Sequence, residues 1–145
     1  MYVKQISIFV ENKVGRLAEI TGVLGDKNIN IQAMSIADTT DFGILRLIVD
    51  KPQAALDALR AHGLTVKETE VVAVKLDNVP GALSGVLKQL FDNDISIEYI
   101  YDFAFAKLAN DRYATIIMRL GDQDASSAKL SALGYTLVSA EDVQE

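Results

Sequence analysis

The chain has 145 residues, half of them hydrophobic, with a formal net charge of −6. That hydrophobic fraction excludes a disordered chain, and the acidic balance argues against a nucleic-acid partner, since phosphate contacts need clustered Lys and Arg. Cys is absent, which excludes disulfides, thiolate chemistry and Cys-built metal sites.

No apolar run approaches membrane-spanning length, so no membrane partner is expected. The N-terminus reads as a strand without a secretory pattern. The expectation is a soluble cytoplasmic protein. Nothing in the sequence calls for a cofactor.

Tyr2 to Val10 alternates, with Ile6, Ile8 and Val10 on one face, as a strand with one buried side does. Gly15 to Asp26 reads as a helix, because Leu17, Ile20 and Leu24 recur at helical spacing. Ile29 to Ala37 reads as a second strand and Ile44 to Val49 as a third. The Asp-, Thr- and Gly-rich segment Asp38 to Gly43 turns between them as a β-hairpin. Pro52 begins a second helix near its first turn. Leu56 and Leu59 supply its apolar stripe, and Gly63 stops it. Leu64 to Glu68 reads as a fourth strand.

The β-α-β-β-α-β order then starts again. Val72, Val74 and Leu76 repeat Ile6, Ile8 and Val10 at an offset of sixty-six residues. Leu83, Val86, Leu87, Leu90 and Phe91 mark a helix. Ile95 to Phe105 and Arg112 to Leu120 are hairpin strands. Ala125 to Leu133 is a helix stopped by Gly134, and Tyr135 to Ser139 is the last strand. Across the hairpin the offset grows to seventy-one (Gly63 to Gly134), so the second hairpin is five residues longer. Two copies of one supersecondary unit follow.

The fold class is therefore α+β: two ferredoxin-like units, residues 1–70 and 71–145. Each is an antiparallel sheet with both helices on one face. Thr69 to Val71 joins the units with no Gly/Ser/Pro-rich linker. The units are expected to pack rigidly, edge to edge as one larger sheet, which would protect two strand edges.

The first strand-to-helix junction, Glu11-Asn12-Lys13-Val14-Gly15-Arg16-Leu17, returns as Asp77-Asn78-Val79-Pro80-Gly81-Ala82-Leu83. A Gly at a helix start lets a ligand or another backbone approach closely. The first N–H groups of a helix lack intrahelical partners and sit at the positive end of its dipole, so they attract a carboxylate or phosphate. An Asn amide can donate and accept, enough to read both ends of a zwitterion. Equally, Asn12 and Asn78 can be helix N-caps, with nothing bound.

Both motifs, each followed by a helix and then by Asn-Ile-Asn-Ile (28–31) or Asp-Ile-Ser-Ile (94–97), resemble ACT domains. These are small regulatory modules appended to enzymes of amino-acid metabolism. The resemblance covers nearly the whole chain, twice. It implies amino-acid binding at an interface between ACT domains, where the loop after the first strand and the start of the second strand clasp the ligand. Carried over by residue, Asn12 and Gly15 match the loop Asn and Gly, and Asn30 matches the polar residue opening the second strand. The implied ligand contacts are Asn12, Lys13, Val14 and Gly15 with Asn30 and Ile31. In the second unit they are Asn78, Val79, Pro80 and Gly81 with Ser96. The shorter Ser96 stands where Asn30 does, so the second site departs from the pattern.

Tyr99, Tyr101, Phe103 and Phe105 alternate along one strand. With no basic aromatic motif beside them, they read as a sheet-to-sheet or subunit interface rather than a base-stacking platform. With the longer hairpin Ala106 to Asp111, they favour a homodimer built on the second unit. His62, the only His, lies at a helix end, where a surface position suits it electrostatically. Asp38, Asp41 and Asp50 stand at turns and helix starts, where Asp is expected structurally.

No phosphate-binding Gly-x-x-x-x-Gly-Lys-Ser/Thr occurs. Acylphosphatases share the fold, but their Arg-bearing phosphate loop has no likeness in Asn12 to Gly15. A Ser-His-Asp triad would have to use His62, on the wrong kind of element for a positioned base. The expectation is thus a non-enzyme: an amino-acid-binding sensor or regulatory protein. The alternative is a regulatory or structural subunit of an amino-acid biosynthetic enzyme with vestigial sites.

Overall fold

The computed structural model describes residues 2–38, 41–104 and 112–145. Phe105 and the hairpin tip Ala106 to Asp111 lie outside these, as do Thr39 and Thr40. The elements run β1 (Val3–Glu11), α1 (Arg16–Asp26), β2 (Ile31–Asp38), β3 (Phe42–Val49), α2 (Pro52–Ala61) and β4 (Thr65–Asp77). They continue with α3 (Ala82–Asp92), β5 (Ile97–Asp102), β6 (Tyr113–Leu120), α4 (Gln123–Ala132), β7 (Thr136–Leu137) and α5 (Ala140–Val143). All strand pairs are antiparallel, in the order β2-β3-β1-β4-β6-β5, with β7 also on β4.

The two units share a strand. Sequence reading expects a fourth strand ending at Glu68, a short connector, and a new strand at Val72. The structure instead runs one thirteen-residue strand through all of them. Its first half pairs with β1 up to Val71, and its second half pairs with β6 from Val72. The boundary expected at residues 70/71 therefore falls where β4 changes partner. Lys67, Glu68, Thr69 and Glu70 break the apolar alternation and so resemble a connector in sequence.

Strand alternation divides the side chains between two environments. Ile6, Ile8 and Val10 with Leu45, Leu47 and Val49 pack under α1 and α2, against Ile20, Leu24, Leu56 and Leu59. Val72, Val74 and Leu76 repeat this with Met118, Leu120, Val86, Leu90 and Leu130. The residues between them form a third cluster, in which Val3, Ala33 and Ile48 of the first unit meet Phe103, Ile117 and Val138 of the second. The sheet curls so that the two helix-free faces cover each other.

Tyr99, Tyr101 and Phe103 of the aromatic stripe belong to this seam. Gln5 of β1 is fully buried. Its Nε2 donates to Tyr99 Oη at 2.7 Å, and Tyr101 Oη donates to its Oε1 at 2.6 Å. The Arg46 guanidinium lies 3.7 Å from the Tyr99 ring centroid. Tyr99 and Tyr101 thus meet the first unit of their own chain, which is the sheet-to-sheet side of the expectation. They supply no argument for a second copy.

The last strand is shorter than expected: β7 keeps only two residues, and α5 follows. Ser139 and Asp142 form a capping box at its start. The tail then staples the units together. Gln144 accepts from the Lys4 N–H through Oε1 (2.9 Å) and donates through Nε2 to the carbonyls of Lys4 (2.7 Å) and Val49 (3.1 Å). Gln32 donates to the Val143 carbonyl at 2.7 Å.

Candidate functional site

Each strand-to-helix junction is built the same way. Gly15 and Gly81 occupy the N-cap positions of α1 and α3 in the left-handed region, with φ of 87° and 88°. That conformation suits Gly because a Cβ is strained there. A Gly cap offers no side-chain acceptor, and the first N–H of each helix turns back into the loop: Arg16 donates to the Lys13 carbonyl at 3.3 Å and Ala82 to the Val79 carbonyl at 3.2 Å, which leaves the next N–H groups of the first turn for an anion. The Asn residues lie three positions earlier and are not in the N-cap position. Asn12 instead aims its Nδ2 at Asp38 Oδ2, a long 3.5 Å contact, while its backbone N–H donates to the Asp41 carbonyl at 3.0 Å. The Asn78 N–H makes the matching bond to the Arg112 carbonyl at 2.9 Å. Both loops are thus pinned to the start of the neighbouring hairpin strand.

The first loop is rich in charge. Lys13 Nζ lies 2.7 Å and an Arg16 nitrogen 3.6 Å from Glu11 Oε2. These cations, Lys13 foremost, hold the Glu11 carboxyl below its ordinary range. Val14 is fully exposed at the tip. In the second loop Val79 and Pro80 stand in place of Lys13 and Val14, and Val79 is exposed.

Asn30 does not join Asn12 within one unit. On β3, Glu11 lies opposite Phe42 and Ile31 lies opposite Val49, the two ends of the strand. That separates the loop from the start of β2 by roughly 23 Å. Asn30 and Ile31 sit beside the start of α2. There the Asn30 N–H donates to Asp50 Oδ1 at 2.9 Å, and the Asp50 N–H returns a bond to the Asn30 carbonyl at 3.1 Å. Asn78 and Ser96 are separated in the same way along β6, with Asp77 opposite Tyr113 and Ile97 opposite Leu120. Ser96 packs against Gly121, where an added Cβ would collide with its Oγ. Neither unit closes a clasp alone.

Behind each loop is an open depression that sequence reading missed. In the first unit it holds about 260 Å³ between Phe9–Glu11, Arg16, Glu19, Phe42 and the turn His62–Thr65. In the second it holds about 530 Å³ between Lys75–Asp77, Val79, Ala82, Gly85, Tyr113 and the turn Gly134–Thr136. These linings correspond at the repeat offsets. Glu19 differs most from its counterpart, Gly85. It takes an Arg16 bond at 3.0 Å and lies 2.9 Å from His62 Nε2. The His62 bond first, then Arg16, holds the Glu19 carboxyl below the ordinary Glu pKa range.

Among the described residues no group of three or more His, Asp or Glu is placed to hold a metal ion. No helix among them is long and apolar enough to cross a membrane.

A family model described as "ACT domain pair" matches residues 1–129. The crystal structure of protein BT0572 from Bacteroides thetaiotaomicron is 43% identical, with a TM-score of 0.90, covering 99% of this chain and 96% of that one. The ligand-free regulatory subunit of aspartate kinase from Thermus thermophilus superposes with a TM-score of 0.66 at 17% identity, over 90% of this chain and 89% of that one. The corresponding subunit from Thermus flavus gives 0.63 at 16% identity, over 89% and 88%. At these lower identities the likeness is one of fold. No curated protein matches the sequence.

Proposed function

This chain belongs to the ACT domain pair family, and from that premise we propose that it is a non-catalytic regulatory protein that binds a free amino acid at its strand-to-helix loops. The observation that carries this reading is the duplicated junction: a left-handed Gly at the N-cap, a first turn with no side-chain cap, and an Asn three residues before. A ligand carboxylate would face the N–H groups of that turn and the Asn amide. In the first unit Lys13 and Val14 border it, and in the second Val79 and Pro80 do.

Asn30 and Ile31, or Ser96, enter such a site only from another unit or another copy, because each lies at the far end of its own sheet. That separation supports a site at an interface, and with it a homodimer. Ligand binding across an interface biases the packing of its two sides, which is a route to a partner enzyme of amino-acid metabolism.

Thermal-shift screening with the twenty amino acids tests the reading. A ligand at one hundred times its Kd should add about 2.7 kcal/mol of stability, and Asn12→Ala or Asn78→Ala should reduce the shift. No shift with any amino acid at millimolar concentration would sink the sensor function and leave an interaction subunit with vestigial sites.

A further inference from the structure

The two depressions behind the loops are the same place in the fold, yet one is half the size of the other. Phe9, Val10 and Glu11 correspond to Lys75, Leu76 and Asp77. Arg16 and Glu19 correspond to Ala82 and Gly85, and Gly63–Thr65 to Gly134–Thr136. In the first unit the space is taken by the protein's own charges. Glu19 bridges Arg16 on its own helix and His62 at the end of α2. In the second unit all three members of that bridge are gone, replaced by Ala82, Gly85 and Leu133. The larger depression has Lys75 and Asp77 on its rim, the Tyr113 ring beside Lys75 Nζ at 4.0 Å, and the Thr136 backbone opposite.

We infer that the second unit's depression, not the first loop, is the main seat for the amino acid, and that the Arg16–Glu19–His62 bridge narrows the first unit's equivalent. This rests on the amino-acid reading above and reverses the ranking that Asn30 and Ser96 suggest. A charge of each sign on the rim suits a zwitterion: Lys75 faces the carboxylate and Asp77 the ammonium. The absence of side chains at Gly85 and their brevity at Ala82 leave room for the ligand's own side chain against Leu76 and Tyr113.

Isothermal titration of the full chain with the twenty amino acids, repeated on four variants including Asn12→Ala, tests this. Ala82→Arg/Gly85→Glu installs the first unit's filling residues. A Cβ at Gly85 meets nothing within 4 Å, so folding should survive, as circular dichroism would verify. It should weaken the best ligand at least tenfold. Lys75→Met should do the same, and it stands in if the first variant fails to fold. Arg16→Ala/Glu19→Ala should keep affinity within twofold or create a second binding event. Affinity unchanged by Ala82→Arg/Gly85→Glu and by Lys75→Met, but lost in Asn12→Ala, would overturn the inference and leave the amino-acid reading standing. No heat from any amino acid on the wild type would overturn both.

Discussion

Gln5 is the polar pin of the seam between the two sheets, and Gln5→Met removes its amide at similar volume. Two short bonds vanish, the one donated to Tyr99 Oη at 2.7 Å and the one accepted from Tyr101 Oη at 2.6 Å, along with a long one donated to Ser7 Oγ at 3.4 Å. A buried polar group left without a partner costs about 1–3 kcal/mol. Both tyrosines are only partly buried, so each hydroxyl should fall near the low end. The sum is about 2–3 kcal/mol. For 145 residues that corresponds to a fall in Tm of roughly 4–12 °C. Urea unfolding gives the free energy directly, and thermal melts give Tm. The triple variant Gln5→Met/Tyr99→Phe/Tyr101→Phe removes donors and acceptors together and should return to within about 1 kcal/mol of wild type. A loss below about 0.5 kcal/mol for Gln5→Met would refute the pin. A triple variant less stable than the single one would show that packing, not hydrogen bonding, holds the seam.

Burial pushes the Tyr101 phenol well above its ordinary value of 10, with Tyr99 adding and Arg46 opposing. The native chain keeps that proton where the unfolded chain loses it, so stability is full below pH 10 and falls as pH rises above it. Urea midpoints across that range should show the fall, and Tyr101→Phe should flatten it. Gly15→Ala and Gly81→Ala should each cost about 1–2 kcal/mol by urea unfolding, because φ near +87° strains any Cβ. Gly→Asn at either site should cost less. The Glu19 carboxyl should titrate below an ordinary Glu, and His62→Ala should move it back up, as carboxyl NMR would show. The stability it contributes is present above the ordinary Glu range and is lost as pH falls through the lowered value.

The duplicated unit is legible in the sequence because apolar alternation and helical spacing recur at a fixed offset. The continuity of β4 is not, since Lys67 to Glu70 are polar and a strand with little cover there tolerates that. Helix α5 left a readable sign, Ser139 three residues before Asp142, but its four residues carry no periodicity. The separation of Asn12 from Asn30 follows from topology. β1 and β2 both run antiparallel to β3, so they run parallel to each other. The end of one and the start of the next then lie at opposite ends of the sheet, and α1 carries the chain back between them. Spacing along the chain says nothing of this. The two depressions needed coordinates, because their walls come from three separate segments, although the exchange of Arg16 and Glu19 for Ala82 and Gly85 is visible once the repeats are aligned.

A crystal structure of the full chain grown with the amino acid that gives the largest thermal shift tests the binding function most directly. Ligand density is expected at a strand-to-helix loop or in the depression behind it, with its carboxylate toward the N–H groups after Gly15 or Gly81 or toward Lys75. Density elsewhere on the chain, or none at saturating ligand, would contradict it.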